Sequence, residues 1–264
     1  PLPAFRKPEA PDSFPVSIQD PARCRRYAGL VYEGLGNPPS PYWLQAKLWM
    51  TGVRPISSLV DLTNYVMLAV GQPCHGFDKN SVQSGIQVRQ ARPGEELTLL
   101  DGHALALRPE DLLICDATEA IALAGVMGGA KDSILPGTRE MILEIANFEP
   151  IGLRRTASFF QVRTESSIRN EKGLDTQRVD LAMGVADDLI RRLFPDARLT
   201  AFADNYPNPT RQPVVHVGLD WLGTRLGREL AFEEASRYLA PLGFALAGRE
   251  GKLAVTVPTW RATG

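Results

Sequence analysis

The residue types that could do chemistry include a cysteine and a histidine side by side. Cys74 and His75 lie near the end of the segment RPISSLVDLTNYVMLAVGQPCHGFD, residues 54–78. A Cys-His pair can act as nucleophile and base, but neighbours in sequence seldom face each other on a strand or turn. We therefore interpret Cys74 as a small buried hydrophobic residue. A single histidine is more often structural than catalytic, so the residues alone favour a structural role for His75.

A carboxylate interrupts an otherwise apolar run, MILEIA, at residues 141–146. The run predicts a strand, and alternation places Glu144 on the face of Ile142 and Ala146, opposite Leu143 and Ile145. A carboxylate on a strand that is buried on both faces is costly unless it is paired or functional. The alternative is an edge strand with Glu144 in solvent, and the pattern does not decide between the two.

The other candidate motifs are histidines and glycines. His75, His103 and His216 are too far apart in sequence to indicate a metal cluster. The stretch GVMGG, residues 125–129, lacks the GxxxxGKS or GxxxxGKT spacing of a phosphate-binding loop. Its glycines let the backbone approach a neighbour closely, and that neighbour is either another strand or a small ligand.

Composition limits the class of protein. The 264 residues are 44% hydrophobic and 22% charged with a formal net charge of -1, which is typical of one large or two smaller globular domains. No apolar run reaches the roughly 18–20 residues of a membrane span, and the low charge argues against a nucleic-acid binder of the basic-patch kind. Three cysteines without CxxC spacing predict free thiols and a cytoplasmic location. The start without Met or signal peptide predicts an excised piece of a longer chain.

Periodicity and turn residues predict the elements that position these groups. Residues 1–22 contain six prolines and are expected to form a linker or lead-in. Residues 24–33 follow as a strand. Ser40 is expected to cap the next helix, whose predicted core positions are Trp43, Leu44, Leu48 and Met50. Residues 60–68 are expected to form either a helix or a buried strand, since hydrophobic periodicity does not distinguish the two here.

From residue 86 onward the pattern indicates short strands. Asp101-Gly102 predicts a hairpin with His103 exposed after the turn. Further strands are expected at residues 86–91, 112–115 and 120–123. Asp175 is expected to cap a helix that ends near Phe194. Residues 205–213 read as a linker between residues 23–204 and a second, incomplete domain at residues 214–264.

Four motifs together resemble one family. Residues 54–78, AGVMGG, LEIANFEP and RTESSIRNEKGLD are similar, in this order and spacing, to the β subunit of bacterial phenylalanyl-tRNA synthetases. The match is to the domain labelled B3/B4, and residues 214–258 resemble the first half of the B5 domain that follows it. The resemblance implies an α+β fold with a layered, β-sandwich-like core and flanking helices, plus a small second α+β domain.

The resemblance also implies an editing pocket that hydrolyses tyrosine wrongly esterified to phenylalanine tRNA. Glu144 matches the carboxylate that recognises the tyrosine hydroxyl, His75 matches the histidine of the GQPxH motif, and Thr164 matches a threonine near the scissile end. These three are the expected catalytic residues. Ser166 stands where many members have alanine, at a position that controls access, and should keep the pocket open. The other expected pocket-lining positions are Arg54, Thr63, Asn64, Gly125 and Gly128.

The resemblance further implies cofactors and partners. The whole enzyme uses ATP and magnesium and is a heterotetramer with an α subunit, whereas this chain is expected to need no cofactor. Its expected partners are phenylalanine tRNA and L-tyrosine, with no membrane. The alternatives are a tRNA- or partner-binding module without hydrolysis and a structural part of the same subunit. A basic stretch such as residues 154–172 is usually a solvated face, and the alternative is a surface that contacts tRNA phosphates.

Overall fold

Short strands dominate the first part of the chain, as the alternating pattern predicts. A computed structural model describes residues 3–7, 12–249 and 251–261 and divides the chain into two units, Pro1–Asn208 and Pro209–Gly264. The strands of the first unit are β1 (Asp12–Ser13), β2 (Val16–Ile18), β3 (Cys24–Glu33), β4 (Cys74–Asp78), β5 (Ile86–Gln90), β6 (Glu96–Thr98), β7 (Ala104–Ala106), β8 (Leu112–Cys115), β9 (Ala120–Leu123), β10 (Met127–Gly128), β11 (Met141–Phe148) and β12 (Arg198–Asn205). Its helices are α1 (Tyr42–Met50), α2 (Ser58–Val70), α3 (Pro150–Phe159), α4 (Glu165–Asn170) and α5 (Arg178–Leu193).

Two five-stranded sheets form from the described strands of this unit, beside the β6–β7 hairpin. The central sheet has the order β1-β12-β3-β11-β4, and the outer sheet has the order β10-β9-β8-β5-β2. Neighbours are antiparallel except for β1 with β12 and β2 with β5. Strand β11 is paired on both sides, by β3 and by β4. Its interior position excludes the edge-strand alternative for Glu144.

Hydrophobic side chains cover both faces of the central sheet. Ile142 and Ala146 pack in a core that the two sheets share, together with Val88 and Leu113 of the outer sheet. The other face of β11 packs in a second core with α2 and α5. Because successive strand residues point to opposite faces, Glu144 lies on the side between the sheets, as predicted. The predicted α+β class with a layered, sandwich-like core and flanking helices is confirmed.

The second unit is smaller and also mixes strands with helices. It comprises β13 (Val214–Gly218), α6 (Leu219–Leu226), α7 (Phe232–Leu239), a 3-10 turn (Ala240–Leu242), β14 (Ala245–Arg249) and β15 (Lys252–Thr256). β15 lies between β13 and β14, antiparallel to both. Its core contains Ala235, Leu253 and Val255. The predicted second α+β domain is present, with Gly243 ending the 3-10 turn in the left-handed region at φ +86°.

The lead-in expected over residues 1–22 is corrected by the structure. β1 pairs with β12 and β2 pairs with β5, so the two sheets each take a strand from this stretch. Phe14, between the two strands, is 6% exposed and belongs to the core. Strands of two and three residues are too short to show periodicity, and their partners lie far along the chain. The folded unit therefore begins before residue 23.

Two helix starts also differ from expectation. Ser40 does not cap α1, because its hydroxyl donates to Asp61 Oδ2 at 2.6 Å and α1 has no side-chain cap. Trp43 and Met50 are 43% and 86% exposed, whereas the other two predicted core positions of this helix are fully buried, Leu44 and Leu48. α5 begins at Arg178, three residues after the predicted cap. The ambiguous segment at residues 60–68 is helical, in α2.

None of the helices in the described part of the chain combines the length and the hydrophobicity needed to cross a membrane.

Candidate functional site

A pocket of about 80 Å³ opens between the two sheets, beside α4. The edge strand β4 and its neighbour β11 supply one wall, and β9, β10 and the turn between them supply another. Five residues expected at the site from the sequence line this pocket, namely His75, Gly125, Gly128, Glu144 and Ser166. These residues come from four separate stretches of sequence, which the two sheets and α4 bring together.

Glu144 is the buried carboxylate of this pocket. It is 6% exposed and lies opposite Gly29 on one neighbouring strand and His75 on the other. The Tyr27 hydroxyl donates a hydrogen bond to its Oε2 at 3.1 Å. Burial raises the pKa of Glu144 to about 8, against the smaller, opposite effect of the Tyr27 hydrogen bond. Among the described residues, the Tyr27 hydroxyl is the one side-chain hydrogen-bond partner of Glu144.

His75 faces the same space from β4. Its ring packs edge-on against Phe77, with ring centroids 4.6 Å apart. Its Nε2 is buried and has no hydrogen-bond partner among the described residues. Burial lowers the pKa of His75 to about 4, so the imidazole is neutral at physiological pH. A neutral ring can donate or accept one hydrogen bond at Nε2, depending on its tautomer.

Cys74 is not arranged as a nucleophile with His75. Its Sγ lies 3.4 Å from the Thr63 carbonyl oxygen of α2, and its side chain packs against the core on the helix side of the central sheet. Burial, and secondarily the charge of Glu144, raises the pKa of the thiol well above its usual range. A thiol in this state supplies no thiolate. The interpretation of Cys74 as a small buried hydrophobic residue agrees with this placement.

The two glycines of the pocket have different reasons to be glycine. Gly125 lies in the turn between β9 and β10 at φ +68°, where a Cβ would meet Leu153 Cδ1 at 2.4 Å. Gly128 has an ordinary φ, but a Cβ there would lie 2.5 Å from His75 Nε2. Strand β10 can therefore approach the histidine ring only because residue 128 has no side chain.

Helix α4 closes the pocket and is held to the β9–β10 turn. Thr164 is its N-cap, accepting from the Ser167 backbone N–H at 3.0 Å and donating to the Val126 carbonyl at 2.7 Å. Ser166 donates to the Gly125 carbonyl at 2.8 Å. Thr164 is outside the residues that line the pocket, so the structure places it next to the site, with its hydroxyl already used by these two hydrogen bonds.

Three residues expected at the pocket lie elsewhere. Arg54 is exposed in the loop before α2. Thr63 and Asn64 belong to α2, which packs on the face of the central sheet opposite Glu144. The Thr63 hydroxyl donates to the Val60 carbonyl within its own helix. The expectation that these three line the pocket is corrected. The central sheet separates Thr63 and Asn64 from it, and Arg54 is not among its lining residues.

Two polar residues of the site were missed from the sequence. Tyr27 is fully buried on β3 and reaches Glu144 from a strand 117 residues away. Asn170 ends α4 and lines the pocket at 2% exposure. The signal for Tyr27 was its place in a run of buried strand residues, where a hydroxyl needs a partner. Asn170 carried no signal beyond its place in the RTESSIRNEKGLD motif.

Removing the Tyr27 hydroxyl is expected to raise the pKa of Glu144 above about 8, because the hydrogen bond that favours its ionised form is lost. The change Tyr27→Phe should also cost about 1–2 kcal/mol of folding free energy. Carbon-13 NMR titration of the Glu144 carboxyl measures the first effect, and urea denaturation measures the second.

Tyr32→Phe is the matched control for this change. Tyr32 is also buried on β3, but its hydroxyl donates to Asp187 at 2.8 Å on the helix side of the sheet. We expect a similar loss of stability and no change in the titration of Glu144. A Glu144 pKa that stays the same in Tyr27→Phe would show that Tyr27 does not control this carboxyl.

The arrangement combines a buried carboxyl, a neutral imidazole and close backbone approach in one pocket. Such a site can bind a small ligand with a hydroxyl or an amine. No group of three or more His, Cys, Asp or Glu side chains that could hold a metal occurs within residues 3–7, 12–249 and 251–261.

Comparison with known proteins places these features in a family. The model of the family described as "B3/4 domain" matches residues 23–195, which is more than half of the chain. The phenylalanine–tRNA ligase beta subunit of Solibacter usitatus is 39% identical over 97% of this chain and 34% of its own length. That of Anaeromyxobacter dehalogenans is 41% identical over 96% of this chain and 32% of its own length.

Among solved structures, an N-terminal fragment of the phenylalanyl-tRNA synthetase beta subunit from Pyrococcus horikoshii aligns with all of this chain and 74% of its own. The TM-score is 0.49 and the identity 11%. The chain spans about a third of the length of the curated relatives it matches. Because the family model matches more than half of its length, the chain belongs to the B3/4 domain family.

Proposed function

We propose that this chain is the editing part of a phenylalanine–tRNA ligase β subunit. In this role it hydrolyses the ester that joins tyrosine, attached in error, to phenylalanine tRNA. The family match and the relatives support the larger assignment. The observation that carries the editing role is Glu144, a carboxyl buried in a pocket. One of its oxygens is held by Tyr27, and the other has no partner among the described residues.

Discrimination follows from the hydroxyl that distinguishes tyrosine from phenylalanine. An apolar synthetic site rejects an isostere with one extra hydroxyl only about 100-fold. In the proposed editing pocket, a tyrosine hydroxyl forms a hydrogen bond with Glu144, and phenylalanine leaves that buried group without one. An unmade buried hydrogen bond costs about 1–3 kcal/mol, which corresponds to roughly a ten- to hundredfold preference for tyrosine.

Hydrolysis needs a positioned water more than a strong base, because an aminoacyl ester is already activated. His75 is the protein group we assign to holding this water, since its Nε2 has no partner in the described part of the chain and the ring is neutral. Thr164 is a weaker candidate, because its hydroxyl is used by the helix cap and the Val126 carbonyl. We retain Glu144, His75 and Thr164 as the proposed catalytic set without naming a general base.

The proposal also covers the domain ranges of this chain and the activities of the larger protein. The proposed editing domain is residues 23–204 together with the preceding strands β1 and β2. The stretch between β12 and residue 213 is its linker, and residues 214–264 are the first part of a B5-like domain. Adenylation with ATP and magnesium, and assembly with an α subunit, would take place in parts outside this chain. The cytoplasm, where tRNA is charged, is the proposed location.

The test is whether the chain distinguishes the two amino acids through Glu144. Calorimetric titration with L-tyrosine and L-phenylalanine should show tighter binding of tyrosine, and Glu144→Ala should abolish the preference. Glu96→Ala, which removes an exposed carboxylate, is the control and should keep it. The chain should also release tyrosine faster than phenylalanine from phenylalanine tRNA. Equal binding of the two amino acids, or a preference that survives in Glu144→Ala, would refute the proposal.

A further inference from the structure

The side-chain amide of Asn170 forms hydrogen bonds at its nitrogen but, among the described residues, none at its oxygen. Its Nδ2 donates to the Gly125 carbonyl at 3.2 Å and to the Ser166 carbonyl at 3.2 Å, and it lies 3.3 Å from Ser166 Oγ. Its Oδ1 is buried and has no hydrogen-bond partner among the described residues. The side chain is 2% exposed and lines the pocket that contains Glu144.

The orientation of this amide is fixed by its neighbours. Two of the three atoms around Nδ2 are backbone carbonyl oxygens, which only accept hydrogen bonds. The third, Ser166 Oγ, donates its own proton to the Gly125 carbonyl at 2.8 Å and therefore also accepts. Rotating the amide by half a turn would place Oδ1 against two carbonyl oxygens, and Ser166 could donate to it only by giving up its hydrogen bond to Gly125. The acceptor Oδ1 must therefore be the end without a partner.

A buried acceptor without a donor is costly, and such atoms in native proteins call for an explanation. The carbonyl oxygens of Gly125, Val126 and Gly128 in the same pocket already accept hydrogen bonds from the protein. Apart from Glu144 Oε1, two buried pocket atoms have no hydrogen-bond partner among the described residues, Asn170 Oδ1 and His75 Nε2. Nε2 can donate or accept, but an amide oxygen can only accept, so its ligand must bring a donor.

We propose that Asn170 Oδ1 binds the α-ammonium group of the aminoacyl ester. This inference rests on the proposed function, in which the ligand is an amino acid esterified through its carboxyl group. Such a ligand has a phenol at one end and an ammonium group with three donors at the other. In this assignment Glu144 takes the phenol and Asn170 takes the ammonium group. A hydrogen bond to a charged donor should contribute about a ten- to hundredfold increase in affinity.

The test compares two ligands that differ only in the amine, L-tyrosine methyl ester and methyl 3-(4-hydroxyphenyl)propanoate. The unmodified protein should bind the amine-bearing ester about ten- to hundredfold more tightly, measured by calorimetry. Asn170→Ala should reduce this ratio to about threefold or less and change the affinity for the ligand without an amine much less. Asn147→Ala is the matched control. Asn147 is also buried, and its Oδ1 also lacks a partner within the described ranges, but it does not line the pocket.

A second variant separates recognition from folding. Asn170→Ser supplies a hydroxyl donor near the Gly125 carbonyl but no acceptor at the position of Oδ1. If Asn170→Ala fails to fold, the serine variant should still fold, and it should lose the amine preference. Equal loss of affinity for both ligands in the variants would mean that Asn170 only supports α4, and would overturn the inference. So would equal binding of the two ligands by the unmodified protein, even with the Glu144-dependent phenol preference intact. Failure of both ligands to bind would overturn this inference together with the proposed function.

Discussion

Replacing Glu144 with glutamine is expected to stabilise the protein by a few kcal/mol at about pH 8.5 and to change its stability little at about pH 4. The pKa of Glu144 is about 8 in the folded protein and 4.5 as its ordinary value. Between these values the folded state keeps the proton and the unfolded state has lost it. The free energy of unfolding therefore falls as the pH rises through this window.

The size of the effect follows from the width of the window. Each pKa unit corresponds to roughly 1.4 kcal/mol, so the full shift amounts to a few kcal/mol. Glutamine has no charge to desolvate, and its amide oxygen can still accept the Tyr27 hydrogen bond. His75 has the opposite dependence, because its folded pKa of about 4 lies below the ordinary 6.5. The histidine is present in both proteins, so its contribution cancels in the difference.

Urea denaturation of the two proteins across this pH range measures the effect. The difference in unfolding free energy should be small near pH 4 and grow to its full value near pH 8.5. Glu96→Gln removes an exposed carboxylate and should give a difference that is flat with pH. A flat difference for Glu144→Gln as well would mean that the carboxyl titrates normally, and it would remove the argument that burial disfavours its charged form.

Adding a single methyl group at Gly128 is expected to weaken tyrosine binding about ten- to hundredfold. The Cβ of Gly128→Ala would lie 2.5 Å from His75 Nε2 and 2.6 Å from its Cε1. The ring cannot retreat freely, because it packs on Phe77 and its strand is paired with β11. Either the ring moves into the pocket or β10 moves away from it. Overpacking of this kind costs about 1–3 kcal/mol.

Calorimetry with L-tyrosine and thermal denaturation together measure this prediction. Gly137→Ala is the control, because no atom lies within 4 Å of the added Cβ and its φ is not in the left-handed region. That variant should bind and melt like the unmodified protein. If Gly128→Ala bound tyrosine with unchanged affinity, the close approach of β10 to His75 would have no part in forming the binding site.

Local patterns were enough to predict much of the fold. The Asp101-Gly102 turn gave the hairpin of β6 and β7, and the apolar runs at residues 112–115 and 120–123 are β8 and β9 within the bounds expected. Alternation also placed Glu144 on the correct face of β11. Each of these depends on residues close together in sequence, whose side-chain directions are set by the period of a strand.

Short or irregular elements could not be found in this way. The strands β1 and β2 have two and three residues, and β12, with eight, lay in a stretch to which no element was assigned. Helix α4 has six residues, too few for a helical period to appear. Ser40 has the residue type of a helix cap, but Asp61 competes for its hydroxyl from 21 residues away.

The candidate site, like the fold, could be predicted from the sequence only in part. The sequence by itself determined the side chains available, the face of Glu144 and, through four motifs, the family resemblance that the B3/4 match confirms. Only the tertiary structure decided that α2, with Thr63 and Asn64, lies behind the central sheet, and that Tyr27 and Asn170 belong to the site. The physical reason is that strand register and sheet stacking depend on contacts between residues far apart in sequence, which no local period encodes.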